Sequence, residues 1–378
     1  MESLYDRFAL LPDEAYLNGA SRSPQLHAGA DAARRALAWR ETNTGMPIEE
    51  FFTPVARLRE SFAQLINGTA DRVALLPAAS YGLATVARNL PLSAGQHLLV
   101  VQDQFPSNYY AWERRCREAG AELRTVARPT DGARWSDRVL EGITSDTAAV
   151  AIAHVHWADG SIFDLEALRR RTEDVGAWLI VDGTQSVGTF PFDVRSIRPD
   201  ALVCAGYKWL LGPYGCGYAY YGERMDDGVP LEENWINRAG SDDFARLADY
   251  RAEYRPLAAR YCVGEHSNFL AMPMQQAGLD LLNAVGPAAL QQHVTGLWQG
   301  VSDALESLDL RPAPHTARHL LGLRLPDPAT LLAVKDSLDR HRVRVSYRGD
   351  LVRVSPAGYN RPEDMERLVE GLRAALVR

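Results

Sequence analysis

Two charged residues stand at the ends of neighbouring apolar runs in this sequence, where strands of a buried sheet are expected to end. Asp182 closes the run that begins at Trp178, and Lys208 follows the run Ala201–Ala205 within the segment "AGYKWLLGPYG". A carboxylate and an amine one strand apart can form a structural ion pair. Alternatively, the amine can bind an aldehyde while the carboxylate keeps a pyridine nitrogen protonated, as pyridoxal 5'-phosphate (PLP) requires. These two residues alone leave both interpretations open.

The rest of the sequence supplies a sheet that positions them. Short apolar runs alternate with longer segments of helical spacing, such as Asn108–Gly120 and Leu165–Val175. Runs that are apolar throughout are typical of parallel strands covered by helices on both faces. We therefore predict an α/β fold whose large domain has three layers and a mostly parallel sheet, with strands at residues 73–77, 97–101, 148–153, 178–182, 201–205 and 217–221.

The pattern changes after about residue 225. A polar, aromatic stretch without a strong period follows, and we predict loops there. Helical spacing returns at 274–308, and short alternating strands then precede a last helix at 362–377. We predict a large domain at residues 20–255 and a smaller α+β C-terminal domain at residues 256–378, which the N-terminal residues 1–19 join.

Charge and cysteine usage exclude several classes of function. The net charge of −7, without a basic run, argues against nucleic-acid binding. No run reaches the roughly 18 apolar residues of a membrane span, and the acidic N-terminal segment is unlike a signal peptide. The four cysteines form no C-x-x-C pair and suit neither a disulfide framework nor a metal site. We expect a cytoplasmic protein with a small-molecule substrate, no metal, and no nucleic-acid or membrane partner.

Seven short segments spread along nearly the whole chain carry a family resemblance. They are "YLNGAS" at 16–21, "PAASYGLA" at 77–84, "QFPSNYYAW" at 104–112, "HVHWADG" at 154–160, "VDGTQSVG" at 181–188, "AGYKWLLGPYG" at 205–215 and "VRVSPAGYN" at 352–360. In this order they resemble the class V aminotransferases, PLP-dependent enzymes of fold type I that include cysteine desulfurases, kynureninases and isopenicillin N epimerase-like proteins. The resemblance implies a homodimeric PLP enzyme of amino-acid metabolism.

The resemblance also implies cofactor roles for individual residues. Lys208 matches the Schiff-base lysine, which also moves the proton at the substrate Cα. Asp182 matches the partner of the pyridine nitrogen, and Gln185 matches a residue near the ring hydroxyl. Ala79 and Ser80 match the turn that holds the phosphate at a helix start. Ser80 can equally be a plain helix cap, and Gln185 a surface residue at a helix start.

Three aromatic residues complete the implied cofactor site. Phe105 matches the residue that stacks on the ring, which is histidine in desulfurases and phenylalanine in kynureninases. Trp157 stands where desulfurases have asparagine and kynureninases tyrosine, so it either donates its N–H or only walls the site. Tyr207 precedes the lysine at a position that is histidine in desulfurases, and its hydroxyl can reach the phosphate. Phe105 and Tyr207 can also be ordinary packing residues.

The substrate side of the implied site is carried by an arginine. Arg353 matches the residue whose guanidinium binds the substrate α-carboxylate, and its alternative is an exposed arginine on an edge strand. Asn18 and Arg22 are further candidates for this pocket, as are Arg348 and Tyr359. We expect residues 264–268 to contact the cofactor phosphate, either in their own chain or in the neighbouring subunit.

The reaction is less determined than the cofactor. A desulfurase needs a persulfide-carrying cysteine shortly before the carboxylate-binding arginine, and the segment "HRVRVSYRGDLVRVSP" contains none. Kynureninases have histidine in place of Gln185. We therefore expect a class V aminotransferase that uses an amino acid and a 2-oxo acid. The alternatives are a Cβ–S or Cβ–C lyase, an amino-acid epimerase, and a catalytically silent sensor with the same fold.

Overall fold

A computed structural model of the chain describes residues 3–377, which contain twelve strands and twelve α-helices. The strands are β1 Ala15–Tyr16, β2 Val73–Leu76, β3 His97–Val101, β4 Glu122–Val126, β5 Thr147–Ala153, β6 Trp178–Asp182, β7 Ala201–Ala205, β8 Gly217–Tyr221, β9 Leu321–Arg324, β10 Val343–Arg344, β11 Ser346–Arg348 and β12 Leu351–Val354. The helices are α1 His27–Thr42, α2 Thr53–Leu65, α3 Ala79–Asn89, α4 Ser107–Ala119, α5 Trp135–Gly142, α6 Leu165–Val175, α7 Val194–Ile197, α8 Ala271–Val285, α9 Pro287–Gln299, α10 Ser302–Glu306, α11 Leu331–Arg340 and α12 Pro362–Leu376.

Seven strands form the large sheet in the order β2-β8-β7-β6-β5-β3-β4. Strand β8 runs antiparallel to both of its neighbours, and the other pairings are parallel. Neighbouring strands β6 and β7 are in register so that Asp182 lies opposite Val203. The carboxyl ends of the parallel strands therefore open at one edge of the sheet, where ligands of such folds gather.

Two apolar cores cover the two faces of this sheet. Along β6, Leu179 and Val181 join one core with helices α2, α6 and α8, whereas Trp178 and Ile180 join another with α3 and α4. Successive side chains of a strand point to opposite faces, so a run of apolar residues serves both cores. The predicted three-layer arrangement with a mostly parallel sheet is confirmed.

Local sequence signals set the ends of the covering helices. Helix α6 begins where the side chain of Asp164 accepts a hydrogen bond from the backbone N–H of Ala167, and it ends at Gly176 with φ of 76°. Helix α4 ends in the same way at Gly120 with φ of 66°. A carboxylate cap and a left-handed glycine are the usual start and stop of a helix.

A smaller, antiparallel sheet with the order β11-β12-β9 lies in the C-terminal part of the chain. It shares an apolar core with α9 to α12, which also takes in Ala15 and Leu17 from the N-terminal segment. Strand β1 pairs with β10, so the N-terminal residues pack with this part of the fold. The boundary at residues 255 and 256 remains a prediction.

Several elements differ from the sequence prediction. Strand β4 was not predicted, because it is an edge strand with mostly exposed, charged side chains that show no apolar run. Residues 226–270 form loops with short 3-10 turns and one isolated bridge, between Arg238 and Tyr254, in agreement with the predicted loops. The helical segment predicted at 274–308 is three helices, α8 to α10, interrupted at Gly286 and Gly300. Within residues 3–377, no helix is long and apolar enough to cross a membrane.

Candidate active site

A cavity of about 190 Å³ lies where the strands of the large sheet end. Strands β2, β3, β5, β6 and β7 each contribute a residue at or just beyond their carboxyl ends. All eight residues that the sequence predicts around the cofactor line this cavity, namely Ala79, Ser80, Phe105, Trp157, Asp182, Gln185, Tyr207 and Lys208. The topology thus brings together residues that are up to 129 positions apart in the sequence.

Lys208 and Asp182 are both buried, with 7% of each residue exposed. Burial lowers the pKa of Lys208 to about 8, and the positive charges of Arg353 and Arg348 act in the same direction, while Asp182 opposes them. Burial raises the pKa of Asp182, against the hydrogen bonds of Thr184 and the charge of Lys208. Within the described residues, no ion pair with an N···O distance of 4.0 Å or less joins Lys208 and Asp182. The ion-pair interpretation therefore does not account for their burial.

Thr184 supports the carboxylate from the turn after β6. Its backbone N–H donates to Oδ1 of Asp182 at 2.9 Å, and its side-chain oxygen accepts from the backbone N–H of Ala205 at 3.1 Å. This residue therefore ties the turn after β6 to the end of β7. It was not singled out from the sequence, although it stands between the two motif residues Asp182 and Gln185.

Aromatic rings surround the lysine amine. The Nζ of Lys208 lies 5.5 Å from the ring centres of both Phe105 and Tyr207. Phe105 meets Trp157 edge to face at 5.5 Å, and it is 37% exposed, so it is not a core phenylalanine. The indole N–H of Trp157 donates to the backbone carbonyl of Asp103 at 2.7 Å. That hydrogen bond uses the only donor of the indole, so Trp157 contributes an apolar wall to the cavity and no free N–H.

The far end of the cavity is the start of helix α3. Ala78 is the N-cap with extended backbone and no side-chain cap, so Ala79 and Ser80 occupy the first turn. The first backbone N–H groups of a helix lack partners within the helix, which makes this end suitable for an anion. Ser80 is therefore not the N-cap, and it is an exposed residue that lines the cavity.

Gln185 is held from three sides. Its Nε2 donates to the carbonyl of Ala20 at 3.0 Å, and its Oε1 accepts from the indole N–H of Trp209 at 2.8 Å. The ring of His319 donates to its backbone carbonyl at 2.6 Å. With 4% exposure, Gln185 is not a surface residue. One N–H of its amide remains for a group in the cavity.

Arg353 lies on the central strand of the small sheet and is only 1% exposed, so it is not an exposed edge arginine. Its guanidinium donates to Oγ of Ser346 at 2.9 Å, to the carbonyl of Trp157 at 2.8 Å and to Oγ of Ser21 at 2.6 Å. Three separate segments thus orient this side chain beside the cavity. Neither serine was identified from the sequence, because nothing in their spacing indicates this contact.

None of the predicted substrate residues, Arg353 included, is among the residues that line the cavity. Arg22 is exposed, and its backbone carbonyl accepts from the hydroxyl of Tyr16. Asn18 is half-buried and forms an isolated bridge with Ser355. The segment 264–268 also does not line the cavity of its own chain. Two lining residues that sequence reasoning missed are Tyr214, which is 81% exposed and lies 4.6 Å from the Tyr207 ring, and Cys216.

The cavity therefore offers an amine, a buried carboxylate, an aromatic face and a helix start with a hydroxyl. In kind, these groups match the aldehyde, the ring nitrogen, the ring face and the phosphate of PLP. At the carboxyl edge of a mostly parallel sheet, they define the class of the protein as a PLP-dependent enzyme of fold type I.

The chain belongs to the aminotransferase class-V family, whose sequence profile matches residues 35–368. YcbU of Bacillus subtilis, an uncharacterized aminotransferase, is 25% identical over 351 residues, which cover 90% of this chain and 88% of the relative. Isopenicillin N epimerase of Streptomyces clavuligerus is 25% identical over 394 residues, which cover 99% of this chain and 98% of the relative.

Solved structures of PLP-dependent enzymes share the fold. The cystine C-S lyase C-DES has a TM-score of 0.85 at 18% identity, with 97% of this chain and 98% of that chain covered. The cysteine desulfurase from Thermococcus onnurineus NA1 has a TM-score of 0.82 at 20% identity, with 98% and 97% covered. The family and the groups in the cavity together identify the cofactor as PLP.

Proposed function

We propose that the protein is an aminotransferase that exchanges the amino group of an α-amino acid with a 2-oxo acid. When bound, PLP supplies an electron-withdrawing ring that stabilises negative charge at the substrate Cα. The observation that carries the proposal is the composition of the cavity wall. Lys208 is the one amine among the described lining residues, and neither histidine nor glutamate is among them. A single base fits a reaction in which one amine takes a proton from one carbon and returns it to another.

Lys208 is suited to this work by its environment. Its pKa of about 8 leaves a substantial neutral fraction of the amine near neutral pH, which an ordinary lysine lacks. The neutral Nζ can accept the Cα proton, and the rings of Phe105 and Tyr207 lie 5.5 Å from it. Neither ring carries a readily ionised group at neutral pH, because burial raises the pKa of the Tyr207 hydroxyl.

The remaining residues bind and orient. We assign Asp182 to the ring nitrogen, Gln185 to the ring hydroxyl, and the first turn of α3 with Ser80 to the phosphate. Arg353 binds the substrate α-carboxylate, because three of its five N–H groups are used by the protein and two remain in a planar fork. Arg353, like Asn18 and Arg22, does not line the cavity itself, but its guanidinium binds the carbonyl of the lining residue Trp157. None of the described hydrogen bonds joins Asn18 or Arg22 to a lining residue in this way, and neither takes part in this proposal.

The cysteines support transamination over desulfurisation. All four are buried, and none lies on the hairpin that precedes Arg353. Cys216 does line the cavity, but burial raises its pKa to about 11, so the thiol stays protonated and is a poor nucleophile at neutral pH. The burial of the cysteines and the raised pKa of Cys216 therefore argue against a persulfide-carrying thiolate.

Epimerisation is the second candidate, because the relative from Streptomyces clavuligerus that carries this name matches almost the full chain. An epimerase must return the proton to the face opposite the one from which it was taken. Two rings lie 5.5 Å from Nζ of Lys208: Phe105 carries no ionisable group, and burial raises the pKa of the Tyr207 hydroxyl. Neither ring is a base at neutral pH, and this favours transamination.

The surroundings of the site support two further parts of the proposal. The exposed ring of Tyr214 lies at the cavity mouth, where a second copy of the chain can cover it. We therefore propose a homodimer in which residues 264–268 of the second copy reach the phosphate end. The four free cysteines are consistent with a reducing, cytoplasmic location.

The test is to incubate the holoenzyme with a panel of amino acids, with and without 2-oxo acids, and to follow the visible spectrum and the products. Transamination converts the bound cofactor to pyridoxamine phosphate and releases a 2-oxo acid in equal amount. Pyruvate with sulfide, or loss of α-deuterium with racemisation and without a 2-oxo acid, contradicts the proposal and supports a lyase or an epimerase. The Lys208→Ala variant should fold but lose the visible band that borohydride bleaches in the wild type.

A further inference from the structure

A second, larger cavity adjoins the site. It has a volume of about 710 Å³ and lies between the loops that follow β4 and β5 on one side and the β9 and β11–β12 region on the other. Trp157 lines both cavities and forms the wall between them. A substrate that reacts beside Lys208 and extends past Trp157 reaches this second cavity.

The walls of the second cavity are positively charged, although the whole chain carries a net charge of −7. Five arginines and three aspartates line it. Three of the arginines are engaged with carboxylates, since Arg128 pairs with Asp159, Arg311 with Glu306, and Arg324 with Asp350. The two others, the exposed Arg134 and the half-buried Arg348, make no such pair with any described carboxylate.

Arg348 is the unpaired arginine next to the site. Its guanidinium lies over the Trp157 ring at 5.2 Å from the ring centre, and it donates one hydrogen bond, at 2.6 Å, to the carbonyl of Tyr347. Its Nε is buried and has no partner in the described part of the chain. A half-buried guanidinium with several free donors is stabilised by an anion that comes from outside the protein.

Arg348 and Arg353 flank the same tryptophan. Arg353 binds the Trp157 carbonyl, while Arg348 covers its ring. The positive charge of Arg348 lowers the pKa of both Lys208 and Arg353, so it acts on both sides of the wall. Arg353 is 1% exposed, whereas Arg348 opens to the second cavity. Two guanidinium groups in such different positions suit two separate anionic groups of one ligand.

We propose that the amino substrate is a dicarboxylic α-amino acid whose distal carboxylate binds Arg348 in the second cavity while its α-carboxylate binds Arg353. This inference rests on the proposed function. Arg348 is thereby a specificity-determining residue. The planar guanidinium matches a carboxylate with two parallel hydrogen bonds, and the Trp157 ring beneath it leaves one open face and the donor edge for the ligand.

The first experiment compares kcat/KM of the holoenzyme for aspartate and glutamate with that for their uncharged isosteres asparagine and glutamine. The wild type should prefer the acids. Arg348→Gln should lower kcat/KM for the preferred acid by roughly 10- to 150-fold, the range expected for one lost charge-assisted contact, and should affect the amides much less. Arg348→Lys should recover part of the loss, since it restores the charge without the fork. Arg311→Gln, which removes the same charge from an exposed, paired position of the cavity, should leave the preference intact.

A second measurement separates this inference from the proposed function. Amino acids with a methyl group at Cα cannot lose a proton there, so their dissociation constants, read from the visible spectrum, do not depend on which reaction the enzyme catalyses. We expect 2-methylglutamate or 2-methylaspartate to bind more tightly than 2-methylnorvaline, and Arg348→Gln to abolish that difference. Equal binding of acidic and neutral analogues to the wild type, or an equal loss for both in the variant, overturns the inference. Retention of the PLP absorbance shows that each variant is folded.

Discussion

The orientation of Arg353 leads to the prediction that we develop in most detail, the replacement Arg353→Gln. The guanidinium has five N–H groups, of which three bind Ser346, Trp157 and Ser21 and two remain for a substrate carboxylate. A hydrogen bond to a charged group contributes about 1.5–3 kcal/mol, so two of them amount to about 3–6 kcal/mol. At about 1.4 kcal/mol for each factor of ten, kcat/KM for an α-amino acid should fall by about 100- to 20,000-fold.

The assay uses pairs of substrates that differ only in the α-carboxylate, an amino acid and the primary amine with the same side chain. The amine cannot use the fork of Arg353, so its kcat/KM should change by less than about threefold, within the scatter of surface effects. Ser21→Ala and Ser346→Ala each remove one contact that orients the guanidinium, and each should lower kcat/KM for the amino acid by no more than about tenfold. An equal loss for amine and amino acid in Arg353→Gln refutes the carboxylate role and makes the residue a structural link between the small sheet and Trp157.

Three other predictions concern ionisation, backbone strain and a buried hydrogen bond. The rate at which the PLP-free protein takes up PLP should rise with pH around a midpoint of about 8, where Lys208 loses its proton. Asp182→Asn should move this midpoint to lower pH, because the carboxylate of Asp182 favours the charged form of the Lys208 amine. A midpoint near 10.5 in the wild type contradicts the prediction. Gly160 has a φ of +82°, and a side chain in this left-handed conformation costs about 1–2 kcal/mol. Gly160→Ala should lower the free energy of unfolding in urea by clearly more than this, because the added Cβ would also lie 1.9 Å from the Leu320 carbonyl oxygen. Gly132→Ala, at φ of +80° in open space, should show the backbone cost alone, and equal losses would remove the steric argument. Trp209→Phe should lower the free energy of unfolding in urea by about 1–3 kcal/mol, because it leaves the buried Oε1 of Gln185 without a hydrogen-bond donor. An unchanged urea midpoint of unfolding would show that water replaces the indole N–H.

The sequence alone could predict that the candidate cofactor residues lie together, because their positions relative to the strands decide it. Lys208 and Asp182 each follow an apolar run, and parallel neighbouring strands place their carboxyl ends at one edge. The same logic brings Phe105 and Trp157 to the cavity from the ends of β3 and β5. A position just after a buried strand is readable from a single sequence, because both the run and its end are local signals.

The substrate side could not be predicted in the same way, because it depends on how separate parts of the chain pack. Asn18, Arg22 and Arg353 were all predicted to contact the substrate, yet none of the three is among the residues that line the cavity. The serines that orient Arg353 stand 332 positions before it and 7 positions before it, and only the folded chain brings both to the guanidinium. The edge strand β4 was missed for a related reason, since its exposed residues show no apolar run.

The candidate cofactor residues and the proposed substrate residues lie on different parts of the fold, and this helps to explain why the family motifs do not determine which reaction the enzyme catalyses. The candidate cofactor residues lie at or just beyond the ends of strands in one continuous sheet, whose strands are held by hydrogen bonds to their neighbours. The residues that we assign to the substrate, by contrast, lie on the β11–β12 hairpin, and Arg353 joins that hairpin to the large sheet through the carbonyl of Trp157. Substitutions on the hairpin can therefore change which substrate groups are held, and where, without disturbing the cofactor end of the cavity. Because the bond that breaks at Cα depends on how the substrate is oriented, the side chains around Trp157, with Arg348 first among them, are where the reaction and substrate of this chain are to be sought.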